Sequence, residues 1–221
     1  GGGGGRGGAL GREREEARGR DDVADRVAGR GELGEAMALF RHALAVREKE
    51  LGRKHKGTLQ SVNNLANVLH HQGQYAAAET LFRRAVAGCT EKLGATHQHT
   101  LHSTSGLATA LSNQKGKPKQ DEAARLFRRV LAAFEATLGA DHDQTLATVG
   151  NLASLLGRQG EHAEALPLKR RVLAGREALL GAEHPATPVA VGNLANTLGH
   201  LSRSAEAEPD RKSTRLNSRQ W

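Results

Sequence analysis

Aromatic side chains are scarce in this sequence: four Phe, one Tyr and one Trp among 221 residues. With so few large anchors a core has to be assembled from Leu, Val and Ala, which suits closely approaching helices better than a β-sandwich. A single cysteine, Cys89, excludes an intrachain disulfide framework and a four-thiolate zinc site, and it fits a reducing compartment. No run approaches the roughly eighteen consecutive apolar residues of a membrane span. Also missing are a Gly-x-Ser-x-Gly nucleophile elbow, a His-Glu-x-x-His zinc helix and a Gly-Lys-Ser/Thr phosphate loop, so the usual hydrolytic and phosphoryl-transfer chemistries have no carrier. No enzyme activity and no cofactor are expected.

What is plentiful is glycine and positive charge: 27 glycines and a formal net charge of +8. Residues 1–21 open with GGGGGRGG, carry no apolar signal-peptide core, and read as a disordered Gly/Arg-rich leader. Gly3, Gly5 and Gly8 match a dinucleotide-loop pattern only formally, because no strand precedes them. Arg6, Arg12, Arg14, Arg18 and Arg20 are offset by Glu13, Glu15, Glu16, Asp21 and Asp22. At the other end, Asp210 to Ser218 resembles the translation of a sequencing-library adapter, so 210–221 is set apart as a non-native tail. That tail carries a net +3, which leaves +5 on the rest of the +8 chain.

Between the ends the chain repeats itself. Leu51-Gly52, His55 and Thr58 recur as Leu93-Gly94, His97, Thr100, then as Leu138-Gly139, His142, Thr145, and as Leu180-Gly181, His184, Thr187. The steps are 42, 45 and 42 residues, and the longer one holds Lys115-Gly-Lys-Pro-Lys119, which reads as a surface loop. After each threonine comes Leu-Ala-x-x-Leu, at Leu65, Leu107, Leu152 and Leu194, one apolar face of a helix. Gly73 and Gly160 supply its C-terminal caps. A second helix follows, with Ala78, Leu81, Phe82, Ala85 and Val86 in one copy and Ala123, Leu126, Phe127, Val130 and Leu131 in another. Each period is an antiparallel helix pair that is stable only when stacked on its neighbours.

These residues resemble a known family. Asn63-Asn-Leu-Ala66, Gly73-x-Tyr75, Ala78-Glu79, the Phe-Arg-Arg-Ala of Phe82 to Ala85 and the Leu-Gly-x-x-His-x-x-Thr spacing are similar to tetratricopeptide repeats of the kinesin-light-chain type, over roughly residues 22–209. The resemblance implies an all-α right-handed α-α superhelix of about four and a half helix pairs. The pairs fall at about 22–52, 58–94, 100–139, 145–181 and a truncated 187–209. Val23, Ala24 and Val27 keep the phase as a degenerate first helix. Ala207-Glu-Pro209, one period after Ala165-Leu-Pro167, stands two residues into a last second helix, so Leu194, Ala195 and Leu198 are expected to lack their next partner.

The eleven histidines invite a metal reading. His55, His97, His142 and His184 share one repeat position and sit a repeat apart, too far to meet at one ion, so they read as loop-capping residues. His97-x-His99-x-x-His102, with Cys89, has zinc-ligand types, but a turn between helices seldom supplies three or four convergent ligands, and no metal is expected. His70-His71 read as the polar end of a helix. Asp141-His-Asp143 reads as acidic residues meeting a helix N-terminal dipole. Arg41-His42, Arg83-Arg84, Arg128-Arg129 and Arg170-Arg171, extended by Lys115, Lys117 and Lys119, form a basic ladder. Without aromatics for base stacking, and with Glu79, Glu91, Glu135 and Glu177 in the same repeats, it reads as a solvated outer face rather than a nucleic-acid site.

The family resemblance places a concave peptide-binding groove on the first helices. It falls at Gln60, Asn63, Asn64, Asn67 and His71, then His102 and Thr109, then Asn151, Ser154 and Arg158, then Asn193, Asn196 and His200. Asn amides both donate and accept, so a ladder of them suits the backbone of an extended peptide. The alternative is that Asn64, Asn151 and Asn193 bond the neighbouring helix. No lysine lies on these faces, which argues against a clamp for a terminal carboxylate. The expected function is a cytoplasmic protein-interaction scaffold, with cargo adaptors or a kinesin heavy chain implied as partners by the resemblance and no membrane partner. A sensor or scaffold portion of a larger signalling protein is the alternative, and nucleic-acid binding through the arginines a third reading.

Overall fold

The computed structural model describes the backbone of residues 33–181 and 183–217 and the side chains of 34–181 and 183–202. The expected leader 1–21, the degenerate helix at Val23 to Val27 and residues 218–221 lie outside the described residues. Eight helices and no strand occur among those described: α1 (Leu33–Leu51), α2 (Lys56–His71), α3 (Tyr75–Leu93), α4 (Gln98–Ser112), α5 (Lys117–Leu138), α6 (Asp143–Gln159), α7 (His162–Leu180) and α8 (Ala186–Asn217). The chain forms two compact units, Gly1–Leu126 and Phe127–Trp221, with the division inside α5. In the first, α1, α2, α3 and α4 each pack on their sequence neighbours; in the second, α6 packs on α7 and α7 on α8.

The repeated motif is the joint between successive helices. Each second-type helix ends at Leu before a glycine, and the glycine carbonyl accepts a hydrogen bond from the threonine six residues on. The bonds are Thr58 to Gly52 at 2.8 Å, Thr100 to Gly94 at 2.7 Å, Thr145 to Gly139 at 2.8 Å and Thr187 to Gly181 at 2.8 Å. These threonines are 0 to 2% exposed, so the hydroxyl satisfies a carbonyl that water does not reach well. The histidine between them caps the next helix. Its Nδ1 accepts from the backbone N–H two residues on, at 3.1 Å for His55 and 3.2 Å for His97, His142 and His184. An N-terminal N–H that would otherwise have no partner is thereby satisfied.

First-type helices end where the sequence says. Gly160 takes φ +82°, and the Glu161 N–H reaches back to the Leu156 carbonyl at 2.9 Å, a wrapped terminus that a side chain at residue 160 would strain. The glycine-poor end of α8 behaves differently. Ser202 stands where Gly73 and Gly160 stand in earlier copies, and the helix runs on to Asn217 without a turn.

The expected surface loop at Lys115–Lys119 is corrected. Lys117-Pro118-Lys119 forms the first turn of α5, because proline lacks the N–H that a first turn leaves unbonded anyway and its fixed φ suits a helix start. The insertion therefore lengthens the helix, and only residues 113–116 form the connection.

The core is small and periodic. On the second-type helices Ala36, Phe40 and Ala43, then Ala78, Phe82 and Ala85, then Ala123, Phe127 and Val130 are at most 1% exposed. Each buried Phe contributes on the order of 2–3 kcal/mol by area. Close approach is enforced by absent side chains: Gly88 meets Leu59 and the equivalent Gly175 meets Leu146, each so closely that a Cβ would lie under 3.0 Å from the leucine. The Leu-Ala-x-x-Leu faces at Leu65, Leu107 and Leu152 are buried, whereas on α8 Val191 and Leu198 are 47% and 40% exposed and Ala195 is exposed too.

Candidate functional site

Four positions of each first-type helix, spaced i, i+4, i+7 and i+11, share one side of that helix. On α2 they are Gln60, Asn64, Asn67 and His71. Asn67 and His71 are exposed, and Gln60 Nε2 donates to Asn64 Oδ1 at 2.9 Å within the helix. On α4, His102 is exposed and Thr109 turns its hydroxyl to the Ser105 carbonyl at 2.9 Å. The other two positions there are Gly106 and Asn113, and the Asn113 amide pairs with His70 Nε2 at 2.9 Å.

In the second unit the same positions on α6 place Asn151, Ser154 and Arg158 at the surface, and on α8 Asn193, Asn196 and His200, all exposed. Ser154 returns its hydroxyl to the Gly150 carbonyl at 2.8 Å. The His200 ring stacks on His162 of α7, with centroids 4.4 Å apart and planes within 4°. Asn63 stands apart from the other twelve expected residues. One residue round the helix from Asn64, it is half-buried, with its Oδ1 enclosed and without a hydrogen-bond partner among the described residues. It borders a small cavity of about 30 Å³ with Gln60, Cys89 and His102.

A larger cavity of about 200 Å³ opens on the polar face of the second unit. Asn151, Ser154 and Asn193 of that face line it, and so do Val172, Lys169 and Arg176 from α7. Lys169 Nζ donates to the Asn193 carbonyl at 3.1 Å and to Thr197 Oγ1 at 2.5 Å, and Arg176 donates to the Ala186 carbonyl at 3.1 Å. Burial holds the Lys169 ammonium below its usual range. No lysine lies on the first-type faces themselves, but Lys169 reaches this cavity from α7. A search confined to first-type helices misses one that arrives from the second-type helix beneath.

The outer-face basic ladder is internally neutralised at several rungs. Arg83 pairs with Glu79 at 3.0 Å and Glu122 at 2.9 Å, Arg84 with Glu48, Arg128 with Glu164 at 2.6 Å, Arg171 with Glu135, and Lys119 with Glu79 at 2.6 Å. Glu79 is the hub. Burial works to raise its pKa, but bonds from Lys119, Gln114 and Arg83 outweigh that and hold it below the ordinary carboxylate range. Exposed pairs of this kind add little stability but remove free charge from the face.

The histidine and cysteine clusters take structural roles. Among the described residues no group of three or more His, Cys, Asp or Glu is arranged to hold a metal ion. His97 and His99 stack with centroids 5.3 Å apart. The Cys89 thiol is buried, and burial pushes its pKa up against the opposing effect of its bond with Ser103, the reverse of an activated nucleophile. His70 and His71 close the last turn of α2, with His71 exposed and His70 half-buried. Burial first, then the neighbouring His71, lowers its pKa. Asp143 opens α6, as an acidic residue at a helix start should, and Asp141 is exposed in the turn before it. No described helix is long and apolar enough to cross a membrane.

Comparison with known proteins agrees with this geometry. The chain matches the tetratricopeptide-repeat family over residues 28–88, 57–120, 119–178 and 148–209. No curated protein matches it. Among solved structures it is similar to the putative kinesin light chain nearly identical TPR-like repeats of Podosopora anserina. Identity there is 27%, covering 92% of this chain and 95% of that one, with a TM-score of 0.72. A point variant of the same repeats gives 27% identity, 92% and 94% coverage and a TM-score of 0.72. BtubC (BKLC) from P. vanneervenii shares the fold at 21% identity, with 97% and 91% coverage and a TM-score of 0.70.

Proposed function

Because the chain belongs to the tetratricopeptide-repeat family, whose all-α helix-pair solenoids act as protein-interaction scaffolds, we propose that it binds extended peptide segments. The surfaces would be the polar faces of α2 and α4 in one unit and of α6 and α8 in the other. The observation that carries this reading is a contrast within single helices. On α6, Leu152, Ala153, Leu155 and Leu156 are at most 3% exposed, whereas Asn151, Ser154 and Arg158 between and beside them are exposed. Of the four positions on this face of α6, Asn151 and Ser154 both donate and accept, which suits the repeating N–H and C=O of an extended backbone, and Ala147 and Arg158 flank them. Nothing in it resembles a nucleophile with its base, so the role is non-catalytic. The likeness to kinesin-light-chain repeats favours cargo or adaptor proteins, or a motor heavy chain, as the source of those segments, in a cytoplasmic setting.

The test is a display library of unstructured peptides presented to the full chain and to a variant carrying Asn67→Ala, Asn151→Ala and Asn196→Ala. All three asparagines are exposed, so the helices keep their packing. Loss of about 1 kcal/mol per backbone bond would weaken selected peptides by roughly tenfold or more in the triple variant. Equal binding by both proteins would end the assignment.

A further inference from the structure

The first-type helix α8 repeats the face of α6 almost letter for letter. Val149-Gly-Asn-Leu-Ala153 and Leu156-Gly157 return as Val191-Gly-Asn-Leu-Ala195 and Leu198-Gly199. On α6 this face is covered by α7, the second-type helix that follows it. Val149, Leu152, Ala153 and Leu156 are at most 3% exposed, Val172 of α7 clusters with Val149, and Leu168 and Leu173 pack beside them. Even the glycines look onto α7: a Cβ at Gly150 would meet Val172 at 3.8 Å, and one at Gly157 the Lys169 ammonium at 3.6 Å. Among the described residues the same letters on α8 face no helix. Val191, Ala195 and Leu198 are exposed, and a Cβ at Gly192 or Gly199 would meet nothing within 4 Å.

The outer-face ion pairs stop at the same place, and they define the chemistry that fits there. Arg83 of α3 meets Glu122 of α5 at 2.9 Å, and Arg128 of α5 meets Glu164 of α7 at 2.6 Å. In the opposite sense Glu48 of α1 meets Arg84 of α3, and Glu135 of α5 meets Arg171 of α7. On α7 the same two repeat positions hold Arg170 and Glu177, both exposed and, among the described residues, without an ion-pair partner. A helix seated on α8 therefore fits best with an acid opposite Arg170 and a donor seven residues later opposite Glu177, as Glu164 and Arg171 are spaced on α7.

The helix α1 has that chemistry. It is a second-type helix packed on α2, which follows it, and the first-type position before it lies outside the described residues. Glu35 stands at the repeat position of Glu122 and Glu164, and His42 at that of Arg84 and Arg171. Both are exposed, and Glu35 has no ion-pair partner among the described residues. Leu39 and Leu44, each half-buried, stand at the positions of Leu168 and Leu173.

We infer that copies of this chain associate head to tail, with α1 of one copy seated antiparallel on α8 of another. Leu39 and Leu44 then pack on Val191 and Leu198, Glu35 meets Arg170, and His42 donates to Glu177. The open glycines of α8 let the two backbones approach. Repeat arrays are held together by contacts between neighbours alone, so this interface copies the one already made inside each chain. It is heterologous: every addition leaves one α1 and one α8 uncovered, so growth continues past two copies. The inference is independent of the peptide-face reading.

Sedimentation velocity of the full chain across a concentration series tests it. Wild type should grow past two chains as concentration rises. Arg170→Glu and Glu35→Arg each set like charges opposite one another and should weaken association by about tenfold. Mixed in equal amounts, these two variants should recover it, since each supplies the end that the other lacks. Leu198→Gln, at an exposed position, should weaken association by about tenfold or more through lost apolar contact. Unfolding curves confirm that each variant is folded before its association is compared. The inference is overturned if wild type stays monomeric throughout, or if it stops at a closed dimer, as two α8 faces meeting each other would. It is overturned equally if Leu198→Gln or Arg170→Glu associates like wild type, or if the equal mixture stays as dispersed as its parts.

Discussion

The Phe82 ring of α3 lies directly over Gly106 of α4, and a Cβ on that glycine would come under 3.0 Å from three ring atoms. Phe82 is 1% exposed and cannot swing away. Gly106→Ala should therefore lose stability. Overpacking costs about 1–3 kcal/mol, and the roughly 1 kcal/mol of helix propensity that alanine returns does not cover it. Gly192 of α8 has open space around its missing Cβ, so Gly192→Ala should gain about 0.5–1 kcal/mol. Urea unfolding of the two variants reads the difference, and a stabilised Gly106→Ala would show that the ring is not held there.

The helix joints offer a second test. Thr145→Val keeps the buried shape but leaves the Gly139 carbonyl without its 2.8 Å bond, which should cost about 1–2 kcal/mol. His142→Ala removes the acceptor of the Gln144 N–H and should cost about 1 kcal/mol, whereas His142→Asn should retain most of it. Differential scanning calorimetry on the three variants checks both. If Ala and Asn at residue 142 melt alike, the cap contributes nothing.

These joints are legible in the sequence because they rest on local chemistry: a glycine that ends a helix, a threonine six residues on and a histidine between them repeat in register. The apolar stripes are legible for the same reason, since a helix places i and i+4 on one side whatever lies beyond. What escapes depends on neighbours. Asn63 and Asn64 differ by one residue, yet a step of that size turns a helix by about 100°, so one has its amide oxygen enclosed while the other reaches Gln60 on the outward face. Lys169 escapes when the face is sought on first-type helices alone. Its signal is present all the same: aligning the repeats puts it in column with Phe40, Phe82 and Phe127. The Lys117-Pro118 helix start is hidden by reading proline and glycine together as a loop.

Acidification should destabilise the first unit in two windows. His70 and His99 both have lowered pKa values. For His70 the causes are burial, then His71; for His99 they are burial, then Lys56, His97 and His102. The folded state then prefers the neutral ring, the unfolded chain binds the proton more readily, and stability rises with pH between the folded value and the ordinary one near 6.5. That contribution is complete above about 6.5 and is lost as pH falls through the folded value. Glu79, lowered despite its burial by Lys119, Gln114 and Arg83, adds stability above the ordinary carboxylate value that is lost at still lower pH. Urea midpoints measured across this range should slope upward with pH, and His70→Gln with His99→Gln should flatten the upper window while leaving the lower one. An unchanged slope in the double variant would remove the histidines from the account.

At the position that holds Phe40, Phe82 and Phe127 in the earlier second-type helices α7 carries Lys169, a replacement whose effect on stability can be measured without any ligand. Lys169 is a partly buried cation beside an open cavity, and its hydrogen bonds go to a neutral carbonyl and to Thr197. Lys169→Phe alone would fill space but leave the Thr197 hydroxyl with only its 3.2 Å bond to the Asn193 carbonyl. Paired with Thr197→Leu it recreates the combination of Phe and an aliphatic residue that the other repeats use. The double variant should be more stable than the parent by about 1–3 kcal/mol, from added apolar burial and relief of a desolvated charge. Thermal unfolding of the full chain decides it. If the double variant melts below the parent, the Lys169 bonds hold α8 in place, and the lysine is there for the fold.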